Sequence, residues 1–381
     1  MKKIFYSVLI TIMTGSRIIF SQEPLIANHA VAKLSLIPSE WIDSAKAKLH
    51  IAYGHTSHGS QIITGMEGLK NWKGSKYAFN NGGSNGALDI HDYAFAGASD
   101  LGNPNRTAWE NATRNYLNNP ANSDVNVVVW SWCGQVSSAT ENDINTYLNL
   151  MSGLENDFPN VRFVYMTGHL DGTGVSGNLN QRNEQIKNYC LANGKILYDF
   201  SDIEAYNPDG NYYLDKYAND NCDYDSDGNG SLDKNWAIDW QNSHTLNIDW
   251  YNCSAAHSQP LNGNLKAYAA WWLWTKLAGR DIVNNIHNLN YQTLKDFKLD
   301  QNFPNPFNPS TKISWQSPID SWQTLKIYDA LGNEITTLVD EYKSVGRYEI
   351  EFDASSLSSG VYYYELKAGD FLDVKRMLLM K

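Results

Sequence analysis

Apolar positions along the chain follow two different rhythms. From Trp41 to about Gly279, short continuous apolar runs alternate with segments whose apolar residues recur every three or four positions. The runs are KLHIAYG (48–54), DVNVVVWSW (124–132), NVRFVYMTG (160–168) and GKILYDF (194–200). The periodic segments are ENDINTYLNLMSGLEND (141–157), NLNQRNEQIKNYCLAN (178–193) and NLKAYAAWWLWTKLAG (264–279). Ile144, Tyr147, Leu148, Met151 and Leu154 show the helical spacing, and Asn193-Gly194 and Gly279 end their helices as C-caps do. Unbroken apolar strands between helices predict a parallel sheet covered on both faces, an α/β layered domain. Ligands of such sheets bind beyond the carboxyl ends of the strands.

After residue 280 the rhythm changes. Residues 281–298 read as a polar linker. Beyond them strict alternation sets in over TLKIYDALGNEITTLVD (324–340) and 346–381, with turn signals at Leu331-Gly332-Asn333 and Ala368-Gly369-Asp370. This predicts a C-terminal all-β, Ig-like sandwich over 299–381.

The amino terminus, MKKIFYSVLITIMTGSRIIFSQEP, pairs Lys2 and Lys3 with a short apolar stretch and a small-residue cleavage point, so residues 1–21 read as a signal peptide. No later stretch is long and apolar enough for a transmembrane segment. The net charge of -11 argues against a nucleic-acid partner. The 13 Trp and 23 Tyr suit either a large aromatic core or stacking on sugars. Export permits disulfides, and Cys133, Cys190, Cys222 and Cys253 allow three full pairings. Cys133, inside an apolar run, also reads as a free buried thiol.

The densest chemistry is YGHTSHGSQ (53–61), at the end of the first apolar run. A strand, a tight polar turn and a periodic segment form a place where a nucleophile can stand above a sheet. Ser57 is the candidate nucleophile, with Ser60 as its local rival, read as a helix cap. A serine needs a base, and His257, just ahead of the last helix, is the candidate. Asp249 could orient His257 if its loop folds back. Trp130 and Trp132 alternate in a strand, so one of them could reach a cleft, whereas Trp271, Trp272 and Trp274 read as core.

Ser early and His late, with HTSHG (55–59), WSWCGQ (130–135), VYMTGHLDGTG (164–174) and AHSQPLNGNLKAYAAWWL (256–273), resembles the SGNH (GDSL-like) hydrolases. The resemblance implies a flavodoxin-like three-layer fold over 30–280. It places Ser57 as nucleophile, His257 as base, Gly97 as an oxyanion donor and Gln135 where an Asn usually donates. The acid that normally precedes the base by three residues is Ser254 here. His55, His169 and Asp171 are expected as substrate-orienting groups. The implied activity is an ester hydrolase acting on a polysaccharide or small ester substrate, with no organic cofactor. Two alternatives stand beside it: a non-catalytic surface glycan-binding protein, and a metal-dependent hydrolase using His55, His58, His169, Asp171 and His257.

NCDYDSDGNGSLDKN (221–235) carries oxygen ligands in alternation, so Asp223, Asp225, Asp227, Asn229 and Asp233 are candidate ligands of a structural Ca²⁺, with Cys222–Cys253 as a pairing that would pin the loop. Finally, QNFPNPFNPSTKI, IYDALGNEITTL, SSGVYYYELKAG and KRMLLMK resemble the type A C-terminal sorting domain of the type IX secretion system. That resemblance implies the secretion machinery as a partner and a secreted or outer-surface location.

Overall fold

A computed structural model describes residues 24–279 and 297–381, apart from 318–320, 344–345 and 370. The signal peptide and nearly all of the expected linker lie outside the described residues. The chain divides into two compact units, residues 1–284 and 285–381.

In the first unit seven parallel strands form one sheet. They are β1 (Leu25–Ala27), β2 (His50–Gly54), β3 (Phe79–Asn80), β4 (Leu88–Asp92), β5 (Val127–Trp130), β6 (Arg162–Met166) and β7 (Ile196–Tyr198). Their order is β1-β7-β6-β5-β2-β4-β3. The five central strands, renumbered along the chain, run 2-1-3-4-5, the flavodoxin-like order. β1 adds to β7 at one edge, so the domain begins by Leu25 rather than at residue 30.

Side chains of successive strand residues point to opposite faces. Ile51, Tyr53, Val127 and Val129 therefore join a core with α1 (Ile42–Lys48), α2 (Ser60–Lys73) and the helix at Pro260–Gly279. Ala52, Val128 and Trp130 join a second core with α3 (Ala108–Leu117), α4 (Glu141–Asp157) and α5 (Asn178–Ala192). The result is three layers, helix–sheet–helix. α4 starts at a capping box, in which the Thr140 hydroxyl takes the Asp143 N–H and the Asp143 carboxylate takes the Thr140 N–H.

The expectation that Trp130 or Trp132 reaches a cleft is corrected. Both are buried, Trp130 donating to Thr113 Oγ1 at 2.8 Å and Trp132 to the Met166 carbonyl at 3.1 Å. Trp271, Trp272 and Trp274 are core, as their helix predicts. After α6 (Phe200–Ala205) and before the last helix, an insertion carries a two-residue hairpin, Asp223–Tyr224 against Lys234–Asn235, and α7 (Trp236–Ser243). The last helix, Pro260–Gly279, is α8.

The second unit is all-β. Its strands Lys298–Leu299, Ser310–Ser317 and Gly346–Asp353 form one antiparallel sheet, and Ser321–Tyr328, Glu334–Lys343, Gly360–Ala368 and Phe371–Leu379 form another. Inward residues alternate as the sequence pattern requires, burying Ile313, Trp315, Leu325, Ile327, Tyr364 and Leu366 in one core. The expected turn at 331–333 is present, with Gly332 at φ +86° and the Asp329 carboxylate taking the Leu331 and Asn333 N–H groups.

Candidate active site at the carboxyl ends of β2 and β5

From β2 the chain crosses to β4 on one side and then returns to β5 on the other, so the crevice between the carboxyl ends of β2 and β5 is the topological switch point. YGHTSHG leaves β2 here, and two glycines set its path. A Cβ on Gly54 would lie 2.3 Å from the Trp130 ring, and one on Gly59 would lie 2.2 Å from Ser131 Oγ and 2.4 Å from His55 Cβ. Only residues without a Cβ let the turn pack this closely on β5. Tyr53 donates to the Gly59 carbonyl at 3.0 Å and Ser60 to the Ser57 carbonyl at 2.6 Å, closing the turn over the start of α2.

This turn carries His58 to Cys133, which follows β5. His58 Nδ1 lies 3.2 Å from Cys133 Sγ, and its Nε2 lies 2.9 Å from Asp220 Oδ2, on the insertion. The Ser57 hydroxyl is 3.6 Å from the same sulfur. Cys133 is half-buried and His58 is buried. The hydrogen bond from His58, working against burial and aided by the Ser57 and Thr56 hydroxyls, lowers the Cys133 thiol to about 6. Burial alone would lower His58, but the Asp220 and Cys133 contacts outweigh it and raise the imidazole to about 9. Burial likewise opposes, and His58 overcomes it, in holding the Asp220 carboxyl below its ordinary value. Between these values the pair is thiolate and imidazolium, the reactive form of a cysteine nucleophile.

A second network fixes the backbone around the sulfur. The Cys133 N–H donates to Gln135 Oε1 at 2.9 Å, Gln135 Nε2 donates to Asp100 Oδ1 at 3.1 Å, and Thr56 donates to Asp100 Oδ2 at 2.6 Å. Asp100 is buried and also takes the Gly102 N–H. Gln135 therefore stands beside the candidate nucleophile, with its amide spent on Asp100 and Cys133.

The other expected residues fall around this centre in different ways. His257 is exposed, holds φ at +62°, and stacks on His58 with ring centroids 4.7 Å apart. Among the described residues no hydrogen bond joins it to Ser57. Asp249 takes the Thr245 N–H in its own loop and has no bond to His257. Gly97, at φ +98°, lies on the loop after β4, three residues before Asp100. His55 is held between Asp92 at 2.6 Å and the Thr56 carbonyl at 3.0 Å, so it supports the turn from beneath. His169 stacks on His58 at 3.6 Å. Asp171 takes the Thr173 N–H and hydroxyl and pairs through its backbone with Asn219, which ties the β6 loop to the Asp220 insertion.

Cys133, His58 and Asp220 were not placed together by sequence reasoning. One signal was available: Cys133 follows one apolar run directly, as the turn with His58 follows another. Asp220 had none, because 162 residues of chain separate it from its partner.

Two trios among the described residues bring potential metal-ligand atoms within 4.8 Å of one another: His58, His169 and Asp220, and His50, Asp89 and Asp124 at the opposite end of β2. In the first, both His58 nitrogens are already engaged, by Cys133 and by Asp220, so a cation would have to break that pairing. The acidic loop is not such a trio. Asp225 takes the N–H groups of Asp227, Gly228, Asn229 and Gly230. Asp223 takes the side-chain amides of Asn221 and Asn235. Asp227 takes both nitrogens of Asn229, and Asp233 takes the N–H and hydroxyl of Ser226. All four cysteines are free thiols, so no Cys222–Cys253 bridge pins the loop.

Residues 301–380 match the family described as the secretion system C-terminal sorting domain. The second unit is thus a type IX secretion signal, which marks the chain for export and surface attachment through that machinery. No helix among the described residues is long and apolar enough to cross a membrane. No curated protein matches the chain. Among solved structures, PorZ of the Porphyromonas gingivalis type IX secretion system is 17% identical over 24% of this chain and 12% of that one, with a TM-score of 0.18. The Ig1 domain of mouse SynCAM 2 is 12% identical over 19% and 81%, with a TM-score of 0.14. An endo-β-1,4-mannanase from Thermotoga petrophila is 10% identical over 67% and 47%, with a TM-score of 0.16. With TM-scores this low, none of them bears on what this chain does.

Proposed function

We propose that the α/β domain is an exported acyl hydrolase whose nucleophile is the Cys133 thiolate. The observation that carries this reading is the His58 imidazole bridging Cys133 Sγ at 3.2 Å and Asp220 at 2.9 Å. That arrangement supplies a nucleophile, a base–acid and a group that fixes the imidazole's tautomer, the roles of a catalytic triad. The thiolate attacks an acyl carbonyl and forms a C–S bond. The His58 Nδ1–H then passes to the departing alkoxide or amine, and water later hydrolyses the thioester. The Ser57 hydroxyl, beside the sulfur, suits a donor to the oxyanion rather than the attacking atom. An ester of a surface polysaccharide is the natural substrate to test first, because the chain is addressed to the cell exterior.

Hydrolysis of p-nitrophenyl acetate by wild type, Cys133→Ala and Ser57→Ala decides the matter. Loss in Cys133→Ala with residual activity in Ser57→Ala is the expected result. Full activity in Cys133→Ala with loss in Ser57→Ala would sink the thiol reading and return the role to a Ser57–His257 pair. Absence of activity in wild type on this and on acetylated polysaccharide would favour a binding protein.

A further inference from the structure

One ring nitrogen beside this crevice has no hydrogen-bond partner among the described residues. His169 follows β6, is buried to 9% exposure, and stacks on His58 with planes 3° apart. Its Nδ1 lies 2.8 Å from the Leu170 carbonyl. A carbonyl oxygen can only accept, so the Nδ1 carries the proton and Nε2 is a bare lone pair. That Nε2 is buried and makes no hydrogen bond. Buried polar atoms are nearly always satisfied, and an exception in a native site calls for a reason. The atom faces residue 134, where an added Cβ would lie 3.9 Å away. Glycine at that position leaves open the space beside the backbone that follows Cys133. Burial, opposed by the Glu204 charge and aided by that of His58, lowers His169 below its ordinary value.

The loop that holds His169 is built to keep it there. The Leu170 N–H donates to Glu204 Oε2 at 2.7 Å, and Glu204 Oε1 is 2.5 Å from Lys266 Nζ, with both charged side chains fully buried. The Gly168 N–H donates to Asn183 at 2.8 Å, and Asn183 donates back to the Gly168 carbonyl at 3.2 Å. His169 is thus braced on both sides by buried hydrogen bonds, while its own Nε2 makes none.

We propose that His169 Nε2 is the base of the second half-reaction: it takes the proton from the water that cleaves the Cys133 thioester. The inference rests on the thiol reading above. After the first half-reaction His58 has given its proton to the leaving group, and its Nδ1 faces the acylated sulfur. Water, held by His169 Nε2, attacks the thioester carbonyl, and its proton moves to Nε2. The tetrahedral intermediate collapses, the C–S bond breaks, and its electron pair returns to the sulfur as thiolate. The carboxylic acid leaves, and the proton on His169 returns to His58 through solvent. Bonds and charges balance, with water as the sole co-reactant.

The test separates the two halves. With p-nitrophenyl acetate, wild type should release nitrophenol in a burst followed by a steady phase. His169→Gln should keep the burst rate and amplitude and lower the steady phase by on the order of 10²-fold or more. Intact-mass analysis should find an acetyl group accumulating on Cys133 in this variant. His169→Ala, which leaves room for a small base, should recover part of the steady phase with added imidazole. Burst and steady phase slowed equally in both variants, or neither slowed, would overturn the proposal. A structural role alone gives the first of those patterns and no imidazole rescue. Failure of the thiol reading looks different: Cys133→Ala would keep its activity and no acetyl group would appear on residue 133, which overturns this inference with it.

Discussion

The His58 imidazole and the Asp220 carboxylate, 162 residues apart in the chain, meet at 2.9 Å. The contact joins the β2 turn to the insertion and orients Nδ1 toward Cys133. Asp220→Asn keeps the shape and removes the charge. It is expected to lower kcat/KM for p-nitrophenyl acetate by on the order of 10²–10⁴-fold. Steady-state kinetics would check this, and an unchanged value would show that Asp220 only packs.

The thiolate–imidazolium pair defines a pH window. The Cys133 thiol is lowered to about 6 and His58 is raised to about 9. The thiolate is therefore lost as pH falls through about 6, and the imidazolium as pH rises through about 9. Iodoacetamide should alkylate Cys133 with a midpoint near 6, and His58→Gln should move that midpoint up toward an ordinary thiol. The two groups have opposite signs in folding stability. Cys133, depressed from 9.0, adds stability as pH rises above 6, whereas His58, raised from 6.5, loses its contribution as pH rises toward 9. Their sum should leave urea-unfolding stability nearly flat across the window, while thiol reactivity, at its plateau inside the window, falls away as pH drops through about 6.

Several elements of this fold were legible in the sequence, for physical reasons that also explain the gaps. β5, β6 and β7 are buried on both faces, so their residues read as unbroken apolar runs. α4 was legible to the residue from its apolar stripe, and the structure adds the Thr140 capping box that fixes its start. β4 was not, because LDIHD is half polar: Asp89 is buried yet takes the Gly82 N–H at 2.6 Å and pairs with His50 at 2.8 Å. β1 is three residues long and offers no pattern. At the site, the turn and its position above the sheet were legible. The pairing of Cys133 with His58 was not, because it depends on which strands are neighbours, and strand order is not a local property.

Packing at Gly59 is tight enough to test the turn alone. Gly59→Ala places a methyl 2.2 Å from Ser131 Oγ and 2.4 Å from His55 Cβ. It should destabilise the domain by about 1–3 kcal/mol, measured by urea unfolding, and shift His58 enough to raise the alkylation midpoint of Cys133.

The buried Glu204–Lys266 pair should behave as a unit. Lys266→Met leaves the Glu204 charge with only N–H partners and is expected to cost about 3–5 kcal/mol. Glu204→Leu combined with Lys266→Met should cost less than Lys266→Met alone, since no stranded charge remains. Denaturant unfolding of both variants checks the order.

A chelator should leave the activity intact. Both His58 nitrogens are committed, to Cys133 and to Asp220, so the chemistry proposed here asks nothing of a cation. Loss of nitrophenyl acetate hydrolysis in EDTA, restored by Zn²⁺, would contradict that expectation.

The sulfur, the imidazole and the carboxylate come from three separate segments, at residues 133, 58 and 220. Until the last of these segments has closed over the crevice, Cys133 is an unremarkable thiol, protonated and slow at neutral pH. Its potency is therefore a property of completed folding. In a chain still being synthesised the sulfur lacks its imidazole, and the pairing exists only once the native structure is assembled.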